Sequence, residues 1–494
     1  MSTPDTTTLS AATPASSRLD AGRFGGPMPR WELATLAVLL VVYLVAAIDG
    51  ILLGAPLGHD EAVYSLQARS YAEGVPSVGF WDDYRAPGLP WILQLAWLGA
   101  ATEPYLRIVV AVLGGLGLVV TWLLGRYLFG TAEGLVAAAG VGLSPIWVAG
   151  ATHVWPDVPG AAVGLIALAV LVFASHGDRV SWWVILAAPL TVAATVVRYG
   201  APGPIAVGAL AIAWWRRDVL RRSLPQVTAL TVLTAVPLAI LLFTNAVFDT
   251  DTPPLLAAAE LRPNRGGTFT DGWVVLWQQL PSLLAQPTVV FMFLGIAVAL
   301  AMRITDVELR RRRTMVVAAS LGTLIVLATA LSSELRYFAP LLPWTWLAAA
   351  LGLMSLIRPL DRRSLIAIGV VAGVALGFSA VNANEDGADI LSDRFQRLRE
   401  ATRDRDWAAG CHIATSYGPQ VGWYSGCTTV GFVLGEDFPI WASDAPTDVL
   451  VVFGGKRQPQ SLYPWLEENA DLQFIYGERG LGSFQYIEVY KPRR

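Results

Sequence analysis

Apolar residues along this chain gather into runs of roughly 15 to 25, close to the ~20 needed to cross a bilayer, and the runs are apolar all round rather than on one face. Such runs occupy Leu33–Leu53, Tyr105–Leu128, Gly134–Gly150, Val158–Ala174, Trp182–Val197, Ala201–Trp215, Leu224–Val247, Pro287–Met302, Thr314–Leu331, Tyr337–Ile357 and Ser364–Val381. They predict a polytopic α-helical membrane protein with about eleven spans. Pro87–Ala101 is a shorter apolar piece, better suited to an interfacial or re-entrant helix than to a crossing.

Lys and Arg positions give an independent register, because short cytoplasmic loops collect them. With Arg18, Arg23 and Arg30 inside, alternate loops hold Arg126, then Arg179, then Arg216, Arg217, Arg221 and Arg222, then Arg303 and Arg310–Arg313, then Arg358, Arg362 and Arg363. The opposite links are then external: Gly54–Glu103, Ala151–Pro156, Arg198–Gly200, Phe248–Gln286 and Ser332–Arg336. This reading puts the chain in the plasma membrane with a cytoplasmic N-terminus and an external C-terminal part.

From about Asn382 the pattern changes. Leu391, Phe395 and Leu398 recur at helical spacing within a charged stretch, and short β-rich runs follow at His412–Thr415, Thr428–Leu434, Val449–Phe453, Leu472–Tyr476 and Phe484–Tyr490, with a helix expected at Pro464–Asn469. The organisation expected is a disordered cytoplasmic tail (1–30), a transmembrane domain (31–381) whose first external loop is 54–104, and a small external α/β soluble domain (382–494).

Composition agrees: 54% of the 494 residues are hydrophobic and 15% charged, far from the roughly 25% charged content of a soluble domain. A net charge of −3 points to no nucleic acid partner. The first ~30 residues, rich in Ser, Thr, Pro and Ala, have no apolar run, so no cleavable signal peptide is expected. Gly454-Gly455-Lys456 lacks the rest of a phosphate-binding loop, which argues against an ATP-driven pump. Cys411 and Cys427 fall in the external domain, where a disulfide is permitted.

Candidate chemistry centres on Gly58-His59-Asp60-Glu61-Ala62-Val63-Tyr64, two adjacent carboxylates just past a span. An interfacial acidic pair facing headgroups is the plain reading; a carboxylate base taking the proton of an attacking hydroxyl is the functional one. His59 and Glu61 share a face if the segment is extended, which keeps a divalent cation open as a cofactor, although two ligands do not make a site. Asp157 is a second external acid at a helix start, where it either caps the helix or reaches the same cavity as Asp60. Arg85, Arg198 and Arg336 lie on the side where basic residues are scarce, and guanidinium binds phosphate bidentately. Arg336 has Glu334 as an alternative partner, and Arg69 and Arg107 are read as structural. Trp81, Trp155 and Trp273 are external aromatics able to stack on sugars.

In their order, these features resemble the GT-C glycosyltransferases, in particular the protein O-mannosyltransferases and the lipid A aminoarabinose transferase. His59-Asp60-Glu61-Ala62-Val63-Tyr64 is similar to that family's acidic pair followed by an aromatic. Tyr84-Arg85-Ala86-Pro87-Gly88-Leu89-Pro90-Trp91 is similar to its aromatic-basic-Pro-Pro-Leu run, with Arg where Lys is common and one proline displaced. Arg107 with Gly125–Gly130, Pro156-Asp157, Arg198-Tyr199 and Arg336-Tyr337-Phe338 resemble further signatures, whereas the Trp-Trp-Asp motif of oligosaccharyltransferases is absent. The resemblance implies inverting transfer of a monosaccharide from a polyprenyl-phosphate donor to a hydroxyl of a glycan, lipid or protein acceptor, beside membrane lipid. It implies Asp60 as base in a catalytic group with Glu61 and Asp157, and Arg85, Arg198, Arg336, Tyr64, Tyr337 and His59 around the substrates. Two rivals stand beside it: a lipid-linked sugar transporter or flippase gripping phosphate without chemistry, and a non-catalytic scaffold of the same fold. The spans are nearly free of ionisable residues, which disfavours the transporter.

Overall fold

The computed structural model describes residues 28–52, 54–75, 85–244, 253, 271–330 and 334–358, and in the C-terminal part 396, 398–403, 407, 410–415, 417–431, 449–453, 462–477 and 486–493. The expected tail, the run at Ser364–Val381 and the domain boundary near residue 382 fall largely or wholly outside these. The helices are α1 (Arg30–Leu52), α2 (His59–Glu73), α3 (Gly88–Leu93, continued by a 3₁₀ turn Gln94–Leu98), α4 (Glu103–Leu128), α5 (Thr131–Gly142), α6 (Pro145–Thr152) and α7 (Asp157–Ala174). They continue with α8 (Ala187–Val197, entered by a 3₁₀ turn Trp182–Leu186), α9 (Pro202–Trp215), α10 (Arg217–Arg221), α11 (Leu224–Phe243), α12 (Asp271–Leu284), α13 (Pro287–Ala301), α14 (Val307–Ala330) and α15 (Leu342–Ile357, entered by a 3₁₀ turn Leu335–Leu341).

Pro104, Pro145, Pro202, Pro225, Pro287 and Pro343 each sit in the first turn of a helix, where a missing N–H costs no intrahelical bond. Every apolar run among the described residues is helical. Among these residues six helices are long and apolar enough to cross a membrane, and up to eight if two bent pairs each count as one span, with shorter apolar helices beside them. The run at 134–150 is one such pair, α5 and α6, bent by 58°. Pro145 cannot donate to the turn before it, and Ser144 there accepts Trp346 Nε1–H at 2.9 Å. The 14-residue α9 reaches only about 21 Å at 1.5 Å per residue, short of the ~30 Å hydrocarbon core.

Two stretches expected to be loop are helical. α2 fills much of the first link, and α12 closes the link Phe248–Gln286, meeting α13 at a bend of 105°. Between α4 and α5 the backbones nearly touch: a Cβ on Gly125 would sit 2.6 Å from Gly134 Cα. Trp147, Trp344 and Trp346 fill the buried centre among α4, α5, α7 and α15.

The C-terminal part contains a five-stranded sheet of β1 (His412–Thr415), β2 (Thr428–Gly431), β3 (Val449–Phe453), β4 (Ala470–Gly477) and β5 (Tyr486–Pro492), in the order β2-β1-β3-β5-β4. β1 pairs in parallel with β2 and β3, and β5 pairs antiparallel with β3 and β4. The parallel β1–β2 step requires a crossover, and α16 (Gly418–Ser425) supplies it. α17 (Leu462–Asn469) precedes β4. A disulfide joins Cys411 to Cys427, the residues immediately before the paired starts of β1 and β2. This module docks on the bundle: Leu57 N–H donates to Tyr424 Oη at 2.8 Å, and Arg399 donates to the Gly54 carbonyl at 2.9 Å.

Candidate active site

The site forms where the ends of α1, α6, α8 and α14 meet the starts of α2, α4, α7, α9 and α15 at one end of the bundle. Gly58 is the N-cap of α2, with extended backbone (φ −65°, ψ 172°), so His59, Asp60 and Glu61 occupy the first helical turn. Acids there suit the positive end of the helix dipole, and Glu61 bends back to accept Gly58 N–H at 2.9 Å. The extended reading of this segment is therefore corrected. Two residues apart on a helix, His59 and Glu61 point to different sides, and the shared face invoked for a divalent cation does not form. Among the described residues no group of three or more His, Cys, Asp or Glu is placed to hold a metal.

Adjacent in sequence, Asp60 and Glu61 have opposite environments. Asp60 Oδ1 accepts Arg85 Nη2 at 2.7 Å and Oδ2 accepts Arg336 Nη2 at 2.6 Å, yet 34% of its side chain stays exposed. Glu61 is only 2% exposed and faces inward. Its Oε1 accepts Arg107 Nε at 3.1 Å and Val154 N at 2.8 Å, and its Oε2 accepts Arg107 Nη2 at 3.2 Å in addition to Gly58 N. Arg107, read as structural from sequence, also donates to the Ala55 carbonyl at 2.7 Å. The 46 residues between Glu61 and Arg107 hide this pairing from any local pattern.

Asp157, in the first turn of α7, makes no side-chain cap and is buried between two guanidiniums. Arg198 contacts its Oδ1, and Arg336 Nε lies 3.8 Å from its Oδ2. Arg336 thus touches Asp60, Asp157 and, at 2.5 Å, Glu334, while its face covers the Trp155 ring at 4.4 Å. The Glu334 partner expected for Arg336 is in place. Arg198 lies over Tyr337 at 4.8 Å and Arg85 over Tyr64 at 5.3 Å. Trp155 stacks on His153 at 4.3 Å. The structure thus gathers Asp60, Asp157, Arg85, Arg198, Arg336, Tyr64 and Tyr337 into one cluster. It sets Glu61 behind them and His59 beside them on α2.

These neighbours set the ionisation. Burial pushes the Asp60 carboxyl up, but Arg85 and then Arg336 outweigh it and hold it well below the usual carboxylate range. Glu61 is likewise raised by burial and lowered further by Arg107, with a net fall. Burial pushes Arg198 down to about 10 and Tyr64 up to about 12. The cluster sets the guanidiniums of Arg85, Arg198 and Arg336 beside the carboxyl groups of Asp60, Asp157 and Glu334. A surface-reachable carboxylate held between guanidiniums can exchange them for another anion, and an oxyanion is what such a fork fits.

Residues 84–241, about a third of the chain, match the family model described as dolichyl-phosphate-mannose-protein mannosyltransferase. The match includes Arg85, Arg107, Asp157 and Arg198 and leaves out Asp60, Glu61 and Arg336. None of the curated proteins is similar to this chain in sequence. Among solved structures, the chain is similar to ArnT from Cupriavidus metallidurans bound to undecaprenyl phosphate (TM-score 0.63, 15% identity, 93% of this chain and 98% of that one). It is similar to the same protein in the apo state (TM-score 0.60, 15% identity, 93% and 97%). A third likeness is to the archaeal oligosaccharyltransferase AglB from Archaeoglobus fulgidus in complex with an inhibitory peptide and a dolichol-phosphate (TM-score 0.53, 13% identity, 92% and 74%). At these identities the likeness establishes a shared fold.

Proposed function

We propose that this chain, a membrane protein of the GT-C fold, is a glycosyltransferase that moves a monosaccharide from a polyprenyl-phosphate donor to an acceptor hydroxyl. The observation that carries the reading is Asp60, a partly exposed carboxylate gripped by Arg85 and Arg336 beside the Arg198–Asp157 pair. The phosphate-bearing lipids in the ArnT and AglB complexes support the choice of donor.

In this proposal the donor phosphate displaces Asp60 from the guanidiniums of Arg85 and Arg336. A carboxylate as acidic as Asp60 is a poor base while both arginines hold it. Losing them to phosphate raises its proton affinity, so the base becomes competent only when the donor is bound. The acceptor oxygen then attacks the anomeric carbon as Asp60 takes its proton. The bond from that carbon to the phosphate oxygen breaks, and the departing phosphate carries its added negative charge onto Arg85, Arg198 and Arg336. Attack opposite the leaving group inverts the anomeric configuration. Glu61 and Arg107 hold the start of α2 so that Asp60 faces the opening, and Tyr64 and Tyr337 set the planes of Arg85 and Arg198.

The basic residues at the other end of the bundle, Arg126, Arg216, Arg312 and Arg358, support a cytoplasmic location for that end. Asp60 and the C-terminal module are then external, where lipid-linked rather than nucleotide sugars are the available donors. The test is purified protein in lipid with a panel of polyprenyl-phosphate sugars. The parent protein is expected to transfer from at least one donor, with Asp60→Asn slowed by roughly 10²–10⁴. Full turnover by Asp60→Asn removes the base assignment, and absence of transfer from every donor removes the glycosyltransferase reading.

A further inference from the structure

A cavity of about 580 Å³ that Arg107 helps to line is walled by both the bundle and the C-terminal module. The bundle contributes the end of α1, the last turns of α2 with Arg69 and Glu73, and the start of α4 with Glu103. The module contributes Arg399, Arg403 and Tyr424. Arg107 is matched by Glu61, Arg69 pairs with Glu73 at 3.0 Å and Arg399 faces Glu103, so Arg403 is left as positive charge in excess. The N-terminus of the 26-residue α4 adds to it, since its N-cap Thr102 lines the cavity and makes no side-chain cap. The closest approach between Arg399 and Glu103 is a loose 3.9 Å.

Below the cavity the surface turns apolar. Pro104 of α4 lines it, and one and two turns further along the same helix face Ile108 and Val112 are 40% and 57% exposed. Ile51 of α1 lines it as well, and Ile48, three residues earlier, is 43% exposed. α1 and α4 are both long and apolar enough to cross a membrane, which suits these outward faces to hydrocarbon. A basic recess at the ends of two spans, continuous with a greasy wall, fits an amphiphile with an anionic head.

We propose that this cavity binds the phosphate of an anionic membrane lipid, with its chains along Ile48, Ile108 and Val112. The head would bridge Arg69, on the helix that carries Asp60, to Arg399 and Arg403 of the module. The lipid would thereby fasten the module over the site. This proposal does not depend on the transfer reaction.

The test compares full-length protein in nanodiscs of phosphatidylcholine alone and of phosphatidylcholine with phosphatidylglycerol, by amide hydrogen exchange. Phosphatidylglycerol is expected to slow exchange over 398–403 and 418–425 by roughly tenfold, the effect of one charge-assisted hydrogen bond. The R399Q/R403Q variant is expected to lose that difference while its transmembrane helices exchange as slowly as the parent's, which confirms that it folds. Equal exchange in the two lipids overturns the proposal, as does a phosphatidylglycerol effect that survives in R399Q/R403Q. Protection reproduced by free glycerol phosphate added to phosphatidylcholine discs would show a soluble phosphate ligand and overturn the lipid.

Discussion

Replacing Glu61 with Gln changes one atom's identity and removes one charge, and the structure allows the cost to be worked out. The carboxylate accepts from Arg107 Nε and Nη2 and from the backbone N–H groups of Gly58 and Val154. Every partner is a donor, so the Gln amide nitrogen must face either one Arg107 nitrogen and Val154 or the other and Gly58. Either choice turns two hydrogen bonds into donor-to-donor contacts. Arg107, only 2% exposed, also loses its counter-charge. Breaking one side of such a buried pair costs about 3–5 kcal/mol. Arg107→Met should cost a comparable amount, because it strands the carboxylate instead. In the double variant neither charge is left alone, so its loss should fall short of the sum of the single losses by at least ~2 kcal/mol. Reversible unfolding in mixed micelles, followed by tryptophan fluorescence, measures all four corners of the cycle. In the transfer assay Glu61→Gln should lower kcat, since Asp60 loses its register on α2, with less change in donor KM. Single losses under about 1 kcal/mol, or additivity within ~0.5 kcal/mol, would refute the assignment of Glu61 as the buried anchor of this site.

Arg336→Lys keeps the charge but not the fork that spans Asp60 and Asp157, so it should raise donor KM at least tenfold, read from initial rates at varied donor. The folded-state pKa of Glu61 lies below its unfolded value of about 4.3. Its contribution to stability is therefore complete above that value and is lost as pH falls through the lower folded value. Its share should show as a decline of the melting temperature below about pH 4 that Glu61→Gln partly lacks. Cys411→Ser, or a reductant, opens a closed loop that spans 16 residues and includes β1, and should cost roughly 3 kcal/mol in the module. Hydrogen exchange over 418–425 should quicken while α4 and α7 stay unchanged.

What the sequence discloses here is mostly what is local. All five strands of the module lie within a few residues of the runs that predict them, because β-branched clusters between turn residues carry their own signal. The long apolar runs are helices for the same reason. α2 is hidden because its polar composition resembles a loop, although the Gly58 cap and the acids at 60 and 61 are a helix-start pattern. The cluster itself is non-local. Arg85 and Arg336 reach Asp60 across 25 and 276 residues, and packing of α2 against α3 and of α7 against the turn before α15 brings them together. Topological parity could place these side chains at one end of the bundle; it could not say which carboxylate would take which guanidinium. Local pattern alone leaves Glu61 and Asp60 alike, and the resemblance alone favours Asp60, whereas in the fold they differ seventeenfold in exposure.

Glu61 also has a consequence for how the chain comes to be folded. Its partners emerge from the ribosome in the order 58, 107 and 154, so a nascent chain that has delivered only α1 and α2 holds a carboxylate with one of its donors. Burying it at that stage would carry the full desolvation penalty, so the start of α2 stays in water until α4 has inserted and the link after α6 has arrived. The turn that carries Asp60 is thus encoded early and finished late. Nascent chains arrested before residue 154 should leave Asp60 and Glu61 open to solvent, whereas chains that pass this point lock them in place.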